Sequence, residues 1–128
     1  MRVLLDTHAL LWWLFDDARL SATVRGLLMD PATEVFASAA SGLEIAAKHR
    51  LGRLASAGAL VQDLCGWLEK AGFDELPISL AHAGRAGSWP QPHRDPFDRM
   101  LAAQSVIEGL PLVSRDDALR AFGVTLIW

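Results

Sequence analysis

Apolar residues in this chain recur with two periods in alternation. Short β-branched or apolar runs that suit strands are followed by longer segments with apolar positions three and four residues apart, as on one face of a helix. The runs predict strands over Arg2–Asp6, Glu34–Ser38, Glu75–Ser79, Leu112–Ser114 and Val124–Ile127. The helical spacing predicts helices over His8–Phe15, Ser21–Met29, Ser41–Arg50, Val61–Lys70, Ala81–Ala86, Pro96–Glu108 and Asp117–Phe122. Local punctuation supports the boundaries: Ser21 as an N-cap with Pro31 beyond that helix, Gly72 after Lys70, and Gly109 and Pro111 after Glu108. Gly87–Pro92 reads as a loop, and no repeat, linker or low-complexity tract interrupts the rhythm.

Strands separated by helices imply right-handed crossovers and an α/β fold, with a mainly parallel sheet covered on both faces. Ligands of such sheets bind outside the carboxyl ends of the strands. A length of 128 residues suits a single domain spanning 1–128. Mean hydropathy is +0.23, yet the longest apolar runs, such as Ala9–Phe15, fall far short of the ~20 residues of a membrane span. Asp6 and His8 interrupt the apolar stretch after Arg2 before a signal-peptide core can form, so a cytoplasmic protein with no membrane partner is expected.

The carboxyl-end rule draws attention to four acids. Asp6 ends the first strand, Glu44 lies in the helix after the second, Asp98 in the helix leading into the fourth, and Asp116 just past the fourth. Each also has an ordinary structural reading. Asp6 suits an N-cap for the helix at Thr7 or His8. Glu44 has capping-box spacing from Ser41 and stands four residues before Lys48, the spacing of a helical ion pair. Asp95 before Pro96 reads as an N-cap with a first-turn proline, which leaves Asp98 in the dipole-favoured first turn. Asp116 or Asp117 suits the start of a short helix. These readings do not explain why several acids fall at strand ends on one side of the sheet.

Two carboxylates ~5 Å apart repel by about 3 kcal/mol at an effective dielectric of 20, and the six pairs among four acids sum to roughly 15 kcal/mol or more. That rivals the stability of a whole domain, so the cluster must take up protons or a cation. Cys65 is the only cysteine, which removes disulfides and thiolate zinc sites and leaves oxygen or imidazole ligands. Oxygen ligands favour Mg²⁺ or Mn²⁺. Carboxylates around such an ion can position a water, lower its pKa and brace a phosphoryl oxygen, the outline of phosphodiester hydrolysis. A net charge of −3 and a pI near 5.7 argue against a nucleic-acid partner at first sight. With four carboxylates committed to a metal, however, 12 basic residues face 11 acidic ones, and all the basic residues but Lys48 and Lys70 are arginine, which suits bidentate phosphate contacts.

Four segments, LLDTHALLWWL (4–14), SAASGLEIAAKHRLGRL (38–54), HRDPFDRMLAAQ (93–104) and LVSRDDALRAFGVTLIW (112–128), together resemble PIN-domain ribonucleases, specifically VapC-type toxins of bacterial toxin–antitoxin pairs. The resemblance covers nearly the whole chain in order, and HRDPFDR followed by LAAQ is its most specific part. It implies a three-layer α/β/α fold with a five-stranded sheet, an acidic pocket holding Mg²⁺ or Mn²⁺, and endonucleolytic cleavage of RNA. Asp6, Glu44, Asp98 and Asp116 correspond in turn to the family's four acids, and Thr7 and Ser114 to the hydroxyl positions that accompany them. It further implies a homodimer held inactive by a cognate antitoxin. Leu43 and Gly42 depart from the family before the glutamate, where tryptophan often stands at position 43, and Ser114 and Phe122 replace the commoner threonine and tyrosine. These departures bear on local packing more than on chemistry.

On this reading Asp95 caps the helix, Pro96 fixes its start and Asp98 is thereby aimed at the metal, with Arg94 and Arg99 flanking an anionic substrate. Lys48, Arg50 and Arg53 lie close enough to track phosphates; a solvated helix end explains them equally well. His93 and both flanking arginines also suit a merely solvated turn. Trp12 and Trp13 point ~100° apart on a helix, so one of them is expected to be exposed and to serve a subunit or antitoxin interface. Two other classes stay open. A signalling receiver module is a parallel α/β domain with Mg²⁺ and clustered acids, but it needs neighbouring acids after the first strand and a late lysine. A catalytically silent PIN-like module would bind RNA or protein without cutting.

Overall fold

The computed structural model describes residues 1–128. Strands β1 (Arg2–Leu5), β2 (Glu34–Ser38), β3 (Asp74–Leu76), β4 (Leu112–Val113) and β5 (Leu126–Ile127) form one sheet in the order β3-β2-β1-β4-β5. All four pairings are parallel. A receiver module would order its strands 2-1-3-4-5, so the observed order removes that alternative.

Side chains of β1 alternate between two cores, as the period of a strand requires. Val3 and Leu5 join Val35, Ala37 and Val113 against α1 (Thr7–Leu14), α2 (Ala22–Met29), α3 (Ala39–Arg50), α4 (Gly58–Gln62) and α5 (Leu64–Ala71). Leu4 and Leu112 turn the other way, toward Leu101 and Ala102 of α7 (Pro96–Glu108) and Leu119 of the 3-10 helix Asp117–Phe122. Helix α6 (Leu80–Ser88) packs beside α7. The result is a three-layer α/β/α fold whose central strand is buried on both sides, which is why its sequence is a continuous apolar run rather than an alternating one.

Most elements coincide with the sequence reading, and the differences have local causes. The helix expected over Val61–Lys70 is two helices broken at Asp63, whose extended φ of −151° interrupts the spiral while its carboxylate accepts from the Gly66 amide to cap α5. A Cβ on Gly66 would lie 2.1 Å from that carboxylate, so the cap depends on glycine there. Helix α3 begins at Ala39 under an Ser38 cap, two residues before the expected start, so Ser41 lies inside the helix and the capping box with Glu44 does not exist. In α6 the box is made by Ser79 and His82: Ser79 Oγ accepts from the His82 amide, and His82 Nδ1 accepts from the Ser79 amide. That leaves Nε2 to carry the proton that reaches Glu108 Oε1, 2.9 Å away.

Of the two adjacent tryptophans, one is buried and the other half-buried. Trp12 is buried beside Trp128, at a centroid separation of 5.7 Å, and Trp13 packs against Phe73 at 6.3 Å. The two rings do point apart, and Trp13, unlike Trp12, keeps part of its surface exposed.

Candidate active site

Parallel strands place all their carboxyl ends on one edge, and the order reverses between β1 and β4. The crevice at such a switch point is where open α/β sheets bind ligands. Asp6 follows β1 and Ser114 follows β4, and the two strands are joined there by the Asp6 amide donating to the Val113 carbonyl at 3.0 Å. Helix α3 starts at the same edge and brings Glu44 one and a half turns into it, while α7 contributes its first turn.

The four acids line one polar pocket of about 80 Å³ together with Thr7, His8, Lys48 and Asp95, and no hydrophobic residue borders it. Asp6 and Glu44 are buried, Asp98 is half-buried, and Asp116 is exposed at the mouth. The ordinary readings of several acids hold at the same time. Asp6 Oδ1 accepts from the Ala9 amide at 2.7 Å and caps α1. Glu44 pairs with Lys48 across one helical turn. Asp95 accepts from the amides of Phe97 and Asp98 beneath the first-turn Pro96. Asp116 caps the 3-10 helix through the Ala118 amide, and its own amide donates to Ser114 Oγ at 3.1 Å. Capping therefore orients these carboxylates without removing them from the pocket.

Burial raises the Asp6 carboxyl above the ordinary aspartate value; the Ser114 hydroxyl, the Ala9 amide and His8 work against it, and Glu44 adds to it. Burial also raises Asp98, opposed by the hydrogen bond from His93 and reinforced by Asp95 and Glu44. For Asp6 and Asp98, loss of water is thus the leading cost, with repulsion from neighbouring acids a lesser one. Spacing along a chain reveals the repulsion between acids but not their desolvation. Either cost is relieved by a proton or by a cation. The hard oxygen donors and the wholly polar lining fit a small divalent ion of the Mg²⁺ or Mn²⁺ kind.

The accompanying hydroxyls are in place: Thr7 lines the pocket and Ser114 is buried next to Asp6. Thr7 Oγ1 is 2.9 Å from Ser41 Oγ, a bond that ties α1 to α3 beneath the acids. Sequence reasoning missed Ser41 as a strut because only the fold brings positions 7 and 41 together. His8 was also missed; it borders the pocket and stacks on Trp12 at 5.5 Å. His93, which the sequence alone allows to be a solvated residue, has its Nε2 2.9 Å from Asp98 Oδ2, and one ligand atom each of His93, Asp98 and Asp116 fall within 4.8 Å of one another.

The candidate substrate cations divide. Lys48 lines the pocket, whereas Arg50 and Arg94 are exposed and make no hydrogen bond or ion pair within the chain. Arg99 is mostly committed elsewhere. Its guanidinium donates to the carbonyls of Ala86 (2.7 Å), Trp89 (2.6 Å), Gln91 (2.8 Å) and His93 (2.8 Å), so four of its five N–H groups are spent on the chain itself. One N–H group is left for any other partner. Beside the acids a cleft of about 310 Å³ shares Thr7, His8 and Lys48 with the pocket and is bordered by Arg19, Arg53 and Trp12.

Comparison with known proteins agrees with this geometry. The family described as PIN domain matches residues 3–124. No curated protein matches the chain in sequence. Among solved structures, the fold is similar to VapBC2 from Rickettsia felis bound to a DNA fragment from its promoter, with a TM-score of 0.73 at 12% identity over 100% of this chain and 99% of that one. It is similar to FitAcB from Neisseria gonorrhoeae, with a TM-score of 0.67 at 21% identity over 100% and 97% of the two chains. A toxin-antitoxin complex from Klebsiella pneumoniae gives a TM-score of 0.60 at 18% identity over 98% and 96%.

Proposed function

The chain belongs to the PIN domain family, and from that premise we propose that it is a Mg²⁺- or Mn²⁺-dependent endoribonuclease acting as the toxin of a toxin–antitoxin pair. PIN domains are typically nucleases, and the observation that carries the reading for this chain is the convergence of Asp6, Glu44, Asp98 and Asp116 on one polar pocket at the sheet's switch point. The toxin role is supported by the structural neighbours, which are toxin–antitoxin assemblies. A homodimer in the cytoplasm, held by a cognate antitoxin, completes the proposal; no helix of the chain is long and apolar enough to cross a membrane.

The four carboxylates would hold the ion, which would supply a lowered pKa for a water and offset charge on a phosphoryl oxygen. Thr7 and Ser114 keep Asp6 and its surroundings in register through their hydroxyls. Lys48 balances Glu44 and presents a cation at the pocket wall to the approaching phosphate. Arg50 and Arg94, free of partners within the chain, bind the RNA backbone on either side.

The test is incubation of purified protein with structured RNA in Mn²⁺, with and without EDTA, alongside Asp98→Asn. Cleavage by the wild type that EDTA stops, and its loss in Asp98→Asn with the thermal midpoint near wild type, is the expected outcome. Retained cleavage in Asp98→Asn would reject the assignment, and RNA binding without cleavage by the wild type would make this a silent PIN-like module.

A further inference from the structure

Arg99 follows Asp98 directly, yet its side chain leaves the pocket and gathers four carbonyls from the end of α6 and the loop behind it. Such a cage holds several residues in one conformation, against the entropy they would keep if the loop were free. The last carbonyl in the cage belongs to His93, and the His93 ring reaches back to Asp98. We propose that Arg99 and His93 act together as positioning residues for the metal-binding carboxylate of Asp98: Arg99 fixes the loop, and the loop delivers the His93 imidazole to one carboxylate oxygen.

The remaining observations agree with that role. His93 Nε2 meets Asp98 Oδ2 at 2.9 Å, while Asp98 Oδ1 has no hydrogen bond within the chain and the residue lines the pocket. Against an ionised carboxylate, the imidazole must present its N–H there. Phe122 steadies both partners, lying edge-on to His93 at 5.8 Å and beneath the Arg99 guanidinium at 5.6 Å. Phe122 ends the 3-10 helix that Asp116 caps, so the third and fourth acids share one support. Partners of ligating carboxylates commonly orient the ligand and tune the ion in this way. Lysine cannot replace Arg99, since a single ammonium has three donors and no planar fork to span four carbonyls.

This proposal rests on the nuclease reading, and the experiment separates the two. Mn²⁺ affinity is measured by calorimetry for the wild type, His93→Phe, His93→Gln, Arg99→Lys and the His93→Phe/Arg99→Lys double variant, with thermal midpoints recorded in parallel. His93→Phe is expected to weaken Mn²⁺ binding about 10-fold with little change in midpoint, and His93→Gln, which keeps an N–H near the Nε2 position, restores most of it. Arg99→Lys weakens binding in the same direction, and the double variant is no worse than the poorer single one, as two parts of one device require. Wild-type affinity in His93→Phe, independent losses that multiply in the double variant, or a nitrogen coupling from His93 to bound Mn²⁺ that makes it a ligand would each overturn the positioning role. Should Arg99→Lys fail to fold, the two histidine variants decide the matter alone. Absence of Mn²⁺ uptake by the wild type itself would overturn the nuclease reading and this role together.

Discussion

The two ends of β1 and β2 handle charge in opposite ways. At their amino ends, the register partners Arg2 and Glu34 form an exposed ion pair at 3.2 Å, an arrangement that satisfies both charges and asks nothing of the surroundings. At their carboxyl ends, Asp6 and Glu44 are buried in a pocket with two further acids, and burial raises both Asp6 and Asp98. The same sheet thus carries an ordinary solvated pair on one edge and, on the other, a cluster of four acids in which Lys48 is the one formally charged base. A fold selected for stability alone has no reason to keep the second edge in that state. Its charge is instead available to a cation.

The largest effect that can break this contrast is on activity. Asp6→Asn keeps an N-cap for α1, because asparagine caps as well as aspartate, while it removes a carboxylate from the pocket. Cleavage is expected to fall at least ~100-fold, with the thermal midpoint of the metal-free protein unchanged or higher. A drop in midpoint with cleavage retained would show that Asp6 is only a cap.

The pH dependence of stability comes next. Asp6 and Asp98 have raised values in the fold, so in the window above 3.8 the folded state holds more protons than the unfolded one, and stability falls as pH rises through that window. Asp17 behaves oppositely: Arg19 lowers it to about 2, so its contribution is present above 3.8 and lost as pH falls toward 2. Thermal midpoints of the metal-free protein should therefore decline from mildly acid to neutral pH more steeply than those of an Asp6→Asn/Asp98→Asn variant. Parallel curves would mean that the pocket carries no strain of charge.

Two smaller effects sharpen the contrast further. Gly42 lies inside α3, two residues before Glu44, and a Cβ there would meet only Leu64 at an ordinary 3.6 Å. Gly42→Ala is expected to stabilise the protein by about 0.5–1 kcal/mol in denaturant unfolding and to leave cleavage unaltered. The smallest effect belongs to the amino edge. A double-mutant cycle on Arg2 and Glu34 should give a coupling below about 1 kcal/mol, with activity untouched.

How much of this was legible in the sequence follows from the range of each interaction. Strands and most helix ends could be read because alternation, Asp95-Pro96 and Gly109 act over a few residues. The four acids could be placed on one edge because topology converts strand ends into a common surface. The break at Asp63 was missed, although Asp63 and Gly66 have the spacing of a cap and the residue whose backbone N–H it accepts from; an unbroken apolar pattern outweighed that signal. Arg99 was only partly legible for a different reason. Its position beside an acid suggested phosphate, and only the path of the loop from Ala86 to His93 reveals that four of its donors are occupied. Which of the two tryptophans is buried was not legible either, since Trp128 and Phe73 reach them from far along the chain.

The most direct test of the central claim is calorimetric titration of Mn²⁺ into the metal-free wild-type protein at neutral pH, beside the Asp6→Asn/Asp98→Asn variant. Saturable uptake by the wild type that the folded variant lacks is the result this account predicts. No uptake by the wild type, or equal uptake by both, would contradict it.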